Sequence, residues 1–152
     1  MQTVSPVPHI YAGPCGLDCS RCVMCTAGAV AHHAAAIQQV LGPNFATYAD
    51  FLQGMEPALA HYPAFATLLA AMAKGSCPGC RQRTTPCHAT CRLPDCLKSR
   101  NLMWCAQCDD FPCAVTGLPE RLEQKWRTFN TRLREQGEDA ALQELAEMPR
   151  YL

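Results

Sequence analysis

The stretch Cys15-Gly-Leu-Asp-Cys19-Ser-Arg-Cys22-Val-Met-Cys25 decides the fold, because it places four cysteines within eleven residues. Its spacing is C-x3-C-x2-C-x2-C. One compact loop of this kind can aim three sulfurs at three corners of an iron–sulfur cubane, while a distant ligand binds the fourth iron. Zinc sites more often take two ligands from each of two knuckles. The loop therefore favours a 4Fe–4S cluster over zinc without deciding between them.

Eight further cysteines lie downstream in three groups. They are the knuckle-type pair Cys77 and Cys80, the group Cys87, Cys91 and Cys96, and the C-x2-C-x4-C group Cys105, Cys108 and Cys113. We predict that all 12 cysteines bind metal, although Cys25 could instead face the start of the next helix. Twelve thiolates make three four-ligand sites, or two sites with spare thiols, and spacing does not decide which.

Composition and charge restrict the class of protein. The chain has 152 residues, which is the size of one domain, and its 13 basic residues balance its 13 acidic residues. Residues 1–11 show no basic segment followed by an apolar run, so we expect no secretory signal there, and no segment is apolar enough for a membrane span. We therefore expect a cytoplasmic protein without membrane association, in which reduced cysteines bind metal rather than form disulfides.

The pattern predicts a mainly α fold: a small helical domain with cysteine-rich metal-binding loops and little or no β-sheet. The single domain, 1–152, divides into a metal loop 13–26, a helical insert 27–75, a metal segment 76–115 and a helical tail 116–152. Helical periodicity predicts helices over 30–41, 45–53 and 57–74, with a kink or restart at Pro63, and over 118–136 and 138–148. The metal segment has few apolar residues, so metal bonds must hold it together.

Positive charge is concentrated in the metal segment. Five cations lie between residues 81 and 100 against the single acid Asp95; they are Arg81, Arg83, Arg92, Lys98 and Arg100. They are candidates either for phosphate contact or for balancing the negative charge of metal-bound thiolates, and we favour charge balancing. Trp104 is adjacent to Cys105, which predicts that it forms a lid over a metal site.

No catalytic motif accompanies the cysteines. The sequence has no H-E-x-x-H, no G-x-S-x-G, no Walker motif and no dinucleotide fingerprint. We therefore favour a protein without bond-making catalysis, carrying one or two 4Fe–4S clusters for electron transfer or redox sensing with a redox partner protein. The alternative is a zinc-stabilised module that binds a partner protein or, less favoured, nucleic acid.

The ordered set of motifs resembles one known family. Its elements here are Cys15-Gly-Leu-Asp-Cys19-Ser-Arg-Cys22, Cys77-Pro-Gly-Cys80, Cys91-Arg-Leu-Pro-Asp-Cys96 and Cys105-Ala-Gln-Cys108-Asp-Asp-Phe-Pro-Cys113. They are similar to domain-of-unknown-function family 3795, small cysteine-rich proteins of bacteria and archaea, and the similarity extends to the basic tail helix that ends at Gly137. The chain departs from the family pattern at Cys25 and at Cys87-x3-Cys91. The resemblance implies metal binding and an intracellular, often anaerobic, setting, and it implies no activity.

Overall fold

The computed structural model describes residues 5–82 and 87–151. Six α-helices and three short 3-10 turns account for the regular structure, and the described residues contain no β-strand, only isolated bridges between Ala12 and Asp18 and between Cys25 and Cys77. The mainly α prediction is confirmed. No helix in the described part of the chain is long and apolar enough to cross a bilayer.

The chain divides into two compact units. The first unit consists of Met1–Ser20 and Pro78–Leu152, and the second unit is Arg21–Cys77. The predicted helical insert 27–75 lies entirely within the second unit, whereas the tail and the metal segment from Pro78 onward belong to the first, so that Cys77 and Cys80 lie in different units. The sequence analysis described a single domain and did not foresee this division, which falls inside two cysteine groups: Cys15 and Cys19 lie in the first unit, Cys22 and Cys25 in the second.

The second unit is a small helical assembly. Its helices are α1 (Ala29–Leu41), α2 (Phe45–Leu52) and α3 (Tyr62–Lys74), and the 3-10 turn Pro57–His61 precedes α3. Pro63 lies in the first turn of α3, where its missing N–H costs no hydrogen bond, so the predicted restart is confirmed. α1 packs against α3, and the buried residues of α1 are the alanines Ala31 and Ala34.

The first unit contains α4 (Leu93–Arg100), α5 (Glu120–Gln136) and α6 (Glu138–Glu147). The sequence predicts α5 and α6 but not α4. The missed signals for α4 were Pro94 and Asp95 in its first turn and Lys98 and Arg100 in its last turn, which suit the two ends of a helix dipole.

Two clusters of buried side chains form the interior of the first unit. The tail core consists of Val7, Ala12, Trp104, Phe129, Leu133, Ala141, Leu142, Leu145 and Ala146. The thiol core consists of Cys15, Leu93, Leu97, Cys105, Phe111 and Trp126, with Cys91, Cys108 and Cys113 packed at its edge. α5 contributes to both clusters, because Trp126 lies in the thiol core and Phe129 lies in the tail core.

Candidate metal centre

The first cysteine loop is closed tightly around two sulfurs. The N–H of Gly13 donates to the carbonyl of Leu17 at 2.8 Å. A Cβ placed on Gly13 would lie 3.2 Å from the sulfur of Cys15 and 3.7 Å from that of Cys19. The two sulfurs therefore flank Gly13, and a side chain there would fill the space beside them.

Two side chains of helix α5 contact this loop and fix its position. Gly16 has a positive φ of 77°, and a Cβ on it would lie 2.7 Å from the Cβ of Phe129, so only glycine fits the conformation and the close approach. Asn130 is fully buried, and its Nδ2 donates to the carbonyl of Pro14 at 3.0 Å. The backbone before Cys15 is thus fixed to a helix more than 100 residues later.

The same helix holds the second cysteine loop, Cys105 to Cys113. The Oδ1 of Asn130 accepts from the N–H of Ala106 at 3.0 Å. Arg134, one turn further along, donates to the carbonyls of Ala106, Cys108 and Phe111 at 2.7, 2.5 and 3.2 Å. Because Asn130 bonds to both loops, one side chain sets the position of the two cysteine segments of the first unit.

Cys15 lies among other thiols. The pKa of its thiol is raised to about 12, mainly by burial and also by negative charge on Cys80, Cys87 and Cys91, while the backbone N–H of Leu17 donates to the sulfur and opposes the rise. Such charge effects reach further than a coordination bond, so they identify neighbouring thiols without defining a coordination geometry. Cys15 therefore lies near these three cysteines.

Cys91 lies just before helix α4. Burial raises the pKa of its thiol, the N–H of Leu93 donates to the sulfur and lowers it, and the charges of Cys87 and Asp95 raise it. Leu93 is the first residue of α4. The sulfur thus faces the positive end of a helix dipole, which favours a thiolate.

Cys105 is the centre of a second set of thiols. The pKa of its thiol is raised to about 11, mainly by burial; the indole N–H of Trp126 opposes the rise, and negative charge on Cys113, Cys96 and Cys108 adds to it. Trp126 is fully buried, and its Nε1 completes no standard hydrogen bond within the described structure. The indole N–H is therefore directed at the Cys105 sulfur, a position where a negatively charged thiolate would be stabilised.

Two cations lie beside the thiols. The Nη1 of Arg100 is 3.1 Å from the sulfur of Cys108, and Arg100 also pairs with Asp110 at 2.7 Å. Arg81 is half-buried: its Nε and Nη1 donate to the carbonyls of His9 and Met103 at 3.1 and 3.0 Å.

Nearby thiols also affect the pKa of Arg81. Burial lowers the pKa of its guanidinium, whereas Glu138, Cys80, Cys19 and Cys105 raise it. Arg81 and Arg100 thus lie near thiols, and their role in balancing thiolate charge stays a prediction. Arg92 and Lys98 are exposed, and Arg83 lies outside the described residues.

Trp104, the residue predicted to form a lid over a metal site, belongs to the tail core and not to the thiol core, and its lid role stays a prediction. Trp104 packs in the tail core, where its ring meets Phe129 edge-on at 5.5 Å and its Nε1 donates to Glu138 at 2.9 Å. The guanidinium of Arg81 lies over its other side, 4.3 Å from the ring centroid. The indole that packs within the thiol core is that of Trp126.

Backbone hydrogen bonds link the two segments of the second unit that contain Cys25 and Cys77. Cys25 is buried and forms a parallel bridge with Cys77. The N–H of Thr26 donates to the carbonyl of Cys77 at 3.0 Å, and the N–H of Cys77 donates to that of Met24 at 2.8 Å. The two segments therefore run side by side, although the role of Cys25 as a ligand stays a prediction.

The donor set fits thiolate-bound metal in its chemistry. Within residues 5–82 and 87–151, no three Cys, His, Asp or Glu side chains come close enough together to hold a single ion. The space beside Gly13 and the N–H groups directed at Cys15, Cys91 and Cys105 nevertheless suit anionic sulfur. Ligation by the twelve cysteines stays a prediction that these features support.

Sequence reasoning missed three residues of α5, namely Trp126 as a sulfur neighbour, Asn130 and Arg134. The sequence places Trp126 only within the helix predicted over 118–136. One signal was visible, because Asn130 is a polar residue four positions after Trp126 and directly after Phe129, within the buried face of the helix. A buried amide on such a face must find hydrogen-bond partners, and here its partners are the two cysteine loops.

Comparison with known proteins places the chain in a family. Neither the curated proteins nor the solved structures gave a match to the chain. A family model described as a protein of unknown function, DUF3795, matches residues 11–117. The match includes every cysteine from Cys15 to Cys113 and ends before α5, so it does not extend to the basic tail helix. The chain belongs to the DUF3795 family.

Proposed function

We propose that this protein binds one or two 4Fe–4S clusters through cysteine thiolates and serves in electron transfer or redox sensing. The observation that carries the proposal is the thiol core, where buried sulfurs meet N–H donors from Leu17, Leu93 and Trp126. Hydrogen bonds to sulfur and exclusion of solvent are the means by which a protein tunes an iron–sulfur cluster. The preference for iron over zinc comes from the spacing of Cys15, Cys19 and Cys22.

Each group of residues has a distinct task in this proposal. A bound cluster would supply reversible one-electron chemistry. Leu93, Leu97 and Phe111 exclude water from the sulfurs because they are buried in the same cluster. Arg81 and Arg100 offset negative charge on thiolates, which otherwise repel one another in an apolar surrounding.

The proposal includes a cytoplasmic location and a redox partner protein. A reducing compartment keeps the thiols available for metal, whereas an oxidising one would favour disulfides. The partner would exchange electrons with the cluster, so its approach must bring it near the thiol core.

Anaerobic purification with metal and sulfide analysis tests the proposal. We expect brown protein with a broad visible absorption band and about four iron and four sulfide per cluster. A redox titration would then give the reduction potential. Colourless protein containing zinc would overturn the iron assignment and support the alternative, a zinc-stabilised module for a partner protein or nucleic acid.

A further inference from the structure

We infer that the groove between helices α5 and α6 binds a small amphipathic anion, namely a carboxylate attached to a medium-length apolar chain. The groove has a volume of about 360 Å³, which lies in the range of small-molecule pockets. Both helices belong to the first unit. The described residues that line the groove include no cysteine, so the inference goes beyond the proposed function and does not depend on the metal.

The inner wall of the groove is apolar. Phe129 of α5 and Ala141 and Leu145 of α6 line it, and all three are buried residues of the tail core. Met148, directly after the last residue of α6, is half-buried and lines the groove as well. Water beside an apolar concave wall has few hydrogen-bond partners, so an apolar chain would replace it favourably. The wall therefore favours a ligand with an apolar body.

The rim of the groove is positively charged. Arg121 and Lys125 lie four residues apart on one face of α5, and both line the groove. Glu144 is the acidic residue among the described lining residues, and it forms an ion pair with Arg132. The lining therefore carries a net positive charge, which favours an anionic group on the ligand. Lys125 is half-buried, so its interaction with an anion is screened less than that of a fully exposed cation.

Helix geometry sets the size of the ligand. Lys125 and Arg132 lie about 10 Å apart along α5 at 1.5 Å per residue, and the buried Phe129 lies between them. An extended chain of about eight carbons would cover this length of apolar wall with its carboxylate at Lys125. Gly16 also lines the groove, so the ligand would touch the loop that carries Cys15.

The small extent of the apolar wall favours a small molecule over a protein partner. A stable protein interface buries about 800 Å² on each partner. Here the wall consists of four apolar side chains, and the exposed polar side chain of Gln124 lies on the rim with the cations. Octanoate has the required charge and chain length and is therefore a suitable probe.

Methionine methyl resonances test the site in the unmodified protein. Met148 lines the groove, whereas Met55 lies in the second unit and is 81% exposed. We expect octanoate to shift the methyl resonance of Met148 in a saturable manner and to leave that of Met55 unchanged. Equal shifts of the two resonances would indicate adsorption to any exposed apolar side chain, and an unshifted Met148 would indicate an empty groove. Either result would overturn the inference.

Calorimetric titration with related compounds tests the head group and the chain separately. Octanol keeps the chain without the charge, and butyrate keeps the charge with a shorter chain. We expect octanoate to bind about 2–5-fold more tightly than octanol, and at least about tenfold more tightly than butyrate. Equal affinities for octanoate and octanol would contradict the role of the cations, and equal affinities for octanoate and butyrate would contradict the role of the apolar wall.

Lys125→Gln tests the rim. The variant should bind octanoate about 2–5-fold more weakly and octanol as before, and the difference should shrink as ionic strength rises. Lys74→Gln is the matched control, because it removes the same charge from the last turn of α3 in the second unit. Unchanged octanoate binding by Lys125→Gln, or equal weakening in the two variants, would overturn the placement of the carboxylate.

Two further results would assign the groove to a protein instead. One is a dimer of this chain that octanoate dissociates, measured by analytical ultracentrifugation. The other is an acidic peptide rich in Leu and Glu that displaces octanoate and binds more tightly than it does. Either result would overturn the inference of a small ligand, whereas a monomer that binds octanoate more tightly than the peptide would support it.

Discussion

The tail core and the thiol core lie in one unit and share one helix, yet they are built differently. The tail core buries apolar side chains from α5 and α6, and such burial contributes about 25 cal/mol per Å² of apolar surface. The thiol core includes Cys15 and Cys105 among its buried members, and loops held by polar contacts supply most of its wall. One face of α5 thus packs in an apolar core, and we predict that the packing of the other face depends on metal.

Removal of metal should have the largest effect of all, and it should destabilise the thiol core more than the tail core. Binding of structural metal contributes folding free energy directly, about 10–16 kcal/mol for zinc in small zinc domains. We expect chelation under reducing conditions to expose amides around Cys91, Cys105 and Cys108, while those around Leu142 and Leu145 keep more of their protection. Hydrogen exchange followed by mass spectrometry, with and without metal, measures both regions in one sample.

The opposite outcome would contradict this comparison. If exchange rises equally in the two cores, they form a single cooperative unit and metal supports both. If exchange rises in neither, metal does not contribute to folding, and the cysteines have another role. Where removal of metal has raised exchange, restoring the metal should restore protection. This control distinguishes loss of metal from irreversible oxidation of the thiols.

Substitution of Trp126 tests the thiol core from α5. Trp126→Ala removes a fully buried ring that meets Phe111 edge-on at 5.0 Å, so we expect a loss of about 3–5 kcal/mol in unfolding free energy. Trp126→Phe keeps most of the volume but removes the N–H directed at Cys105, so it should cost less and lower the reduction potential of a bound cluster. Urea unfolding and potentiometry measure the two effects.

The matched control is Trp104→Phe in the tail core. It removes an indole N–H that donates to Glu138 at 2.9 Å, so a stability loss of about 1.5–3 kcal/mol is expected. It should leave the potential nearly unchanged, because this N–H does not face sulfur. Equal potential shifts in the two variants would show that the Trp126 N–H has no particular effect on Cys105.

Asn130→Ala should weaken both cysteine loops at once. The substitution leaves the N–H of Ala106 and the carbonyl of Pro14 without their partner, and each unsatisfied buried group costs about 1–3 kcal/mol. Thr128→Ala is the control, since Thr128 is exposed on the same helix. Thermal unfolding and metal content measure the outcome, and full metal content with an unchanged melting temperature would refute the anchoring role of Asn130.

Helix prediction succeeded where local signals were complete. α1 ends at Leu41 before Gly42, and α5 ends at Gln136 before Gly137, as the sequence indicates. Trp104 shows why the candidate site was harder to predict. Its position next to Cys105 suggested a role at the metal, but long-range contacts with Phe129 and Glu138 decide where the ring lies. Hydrophobic periodicity indicates which face of a helix is buried, but it does not indicate which loop packs against that face.

The grouping of the cysteines in space also depends on structure that the sequence spacing does not show. Sequence spacing groups Cys87, Cys91 and Cys96 because they are close along the chain. Helix α4 begins between Cys91 and Cys96, so Cys91 precedes the helix and Cys96 lies within it. Once a helix separates neighbouring ligands, spacing cannot predict which of them share a site. The missed α4 and the undecided division of the cysteines are therefore a single gap in the sequence analysis.

The smallest expected effect concerns the exposed cation beside sulfur. Arg100→Gln removes a positive charge 3.1 Å from the Cys108 sulfur, so the reduction potential of a bound cluster should become more negative. Because Arg100 is exposed, the shift should shrink as ionic strength rises. Arg132→Gln removes the same charge from a pair with Glu144 beside the tail core and serves as the control. Equal shifts in the two variants would mean that net charge, rather than contact with sulfur, sets the effect.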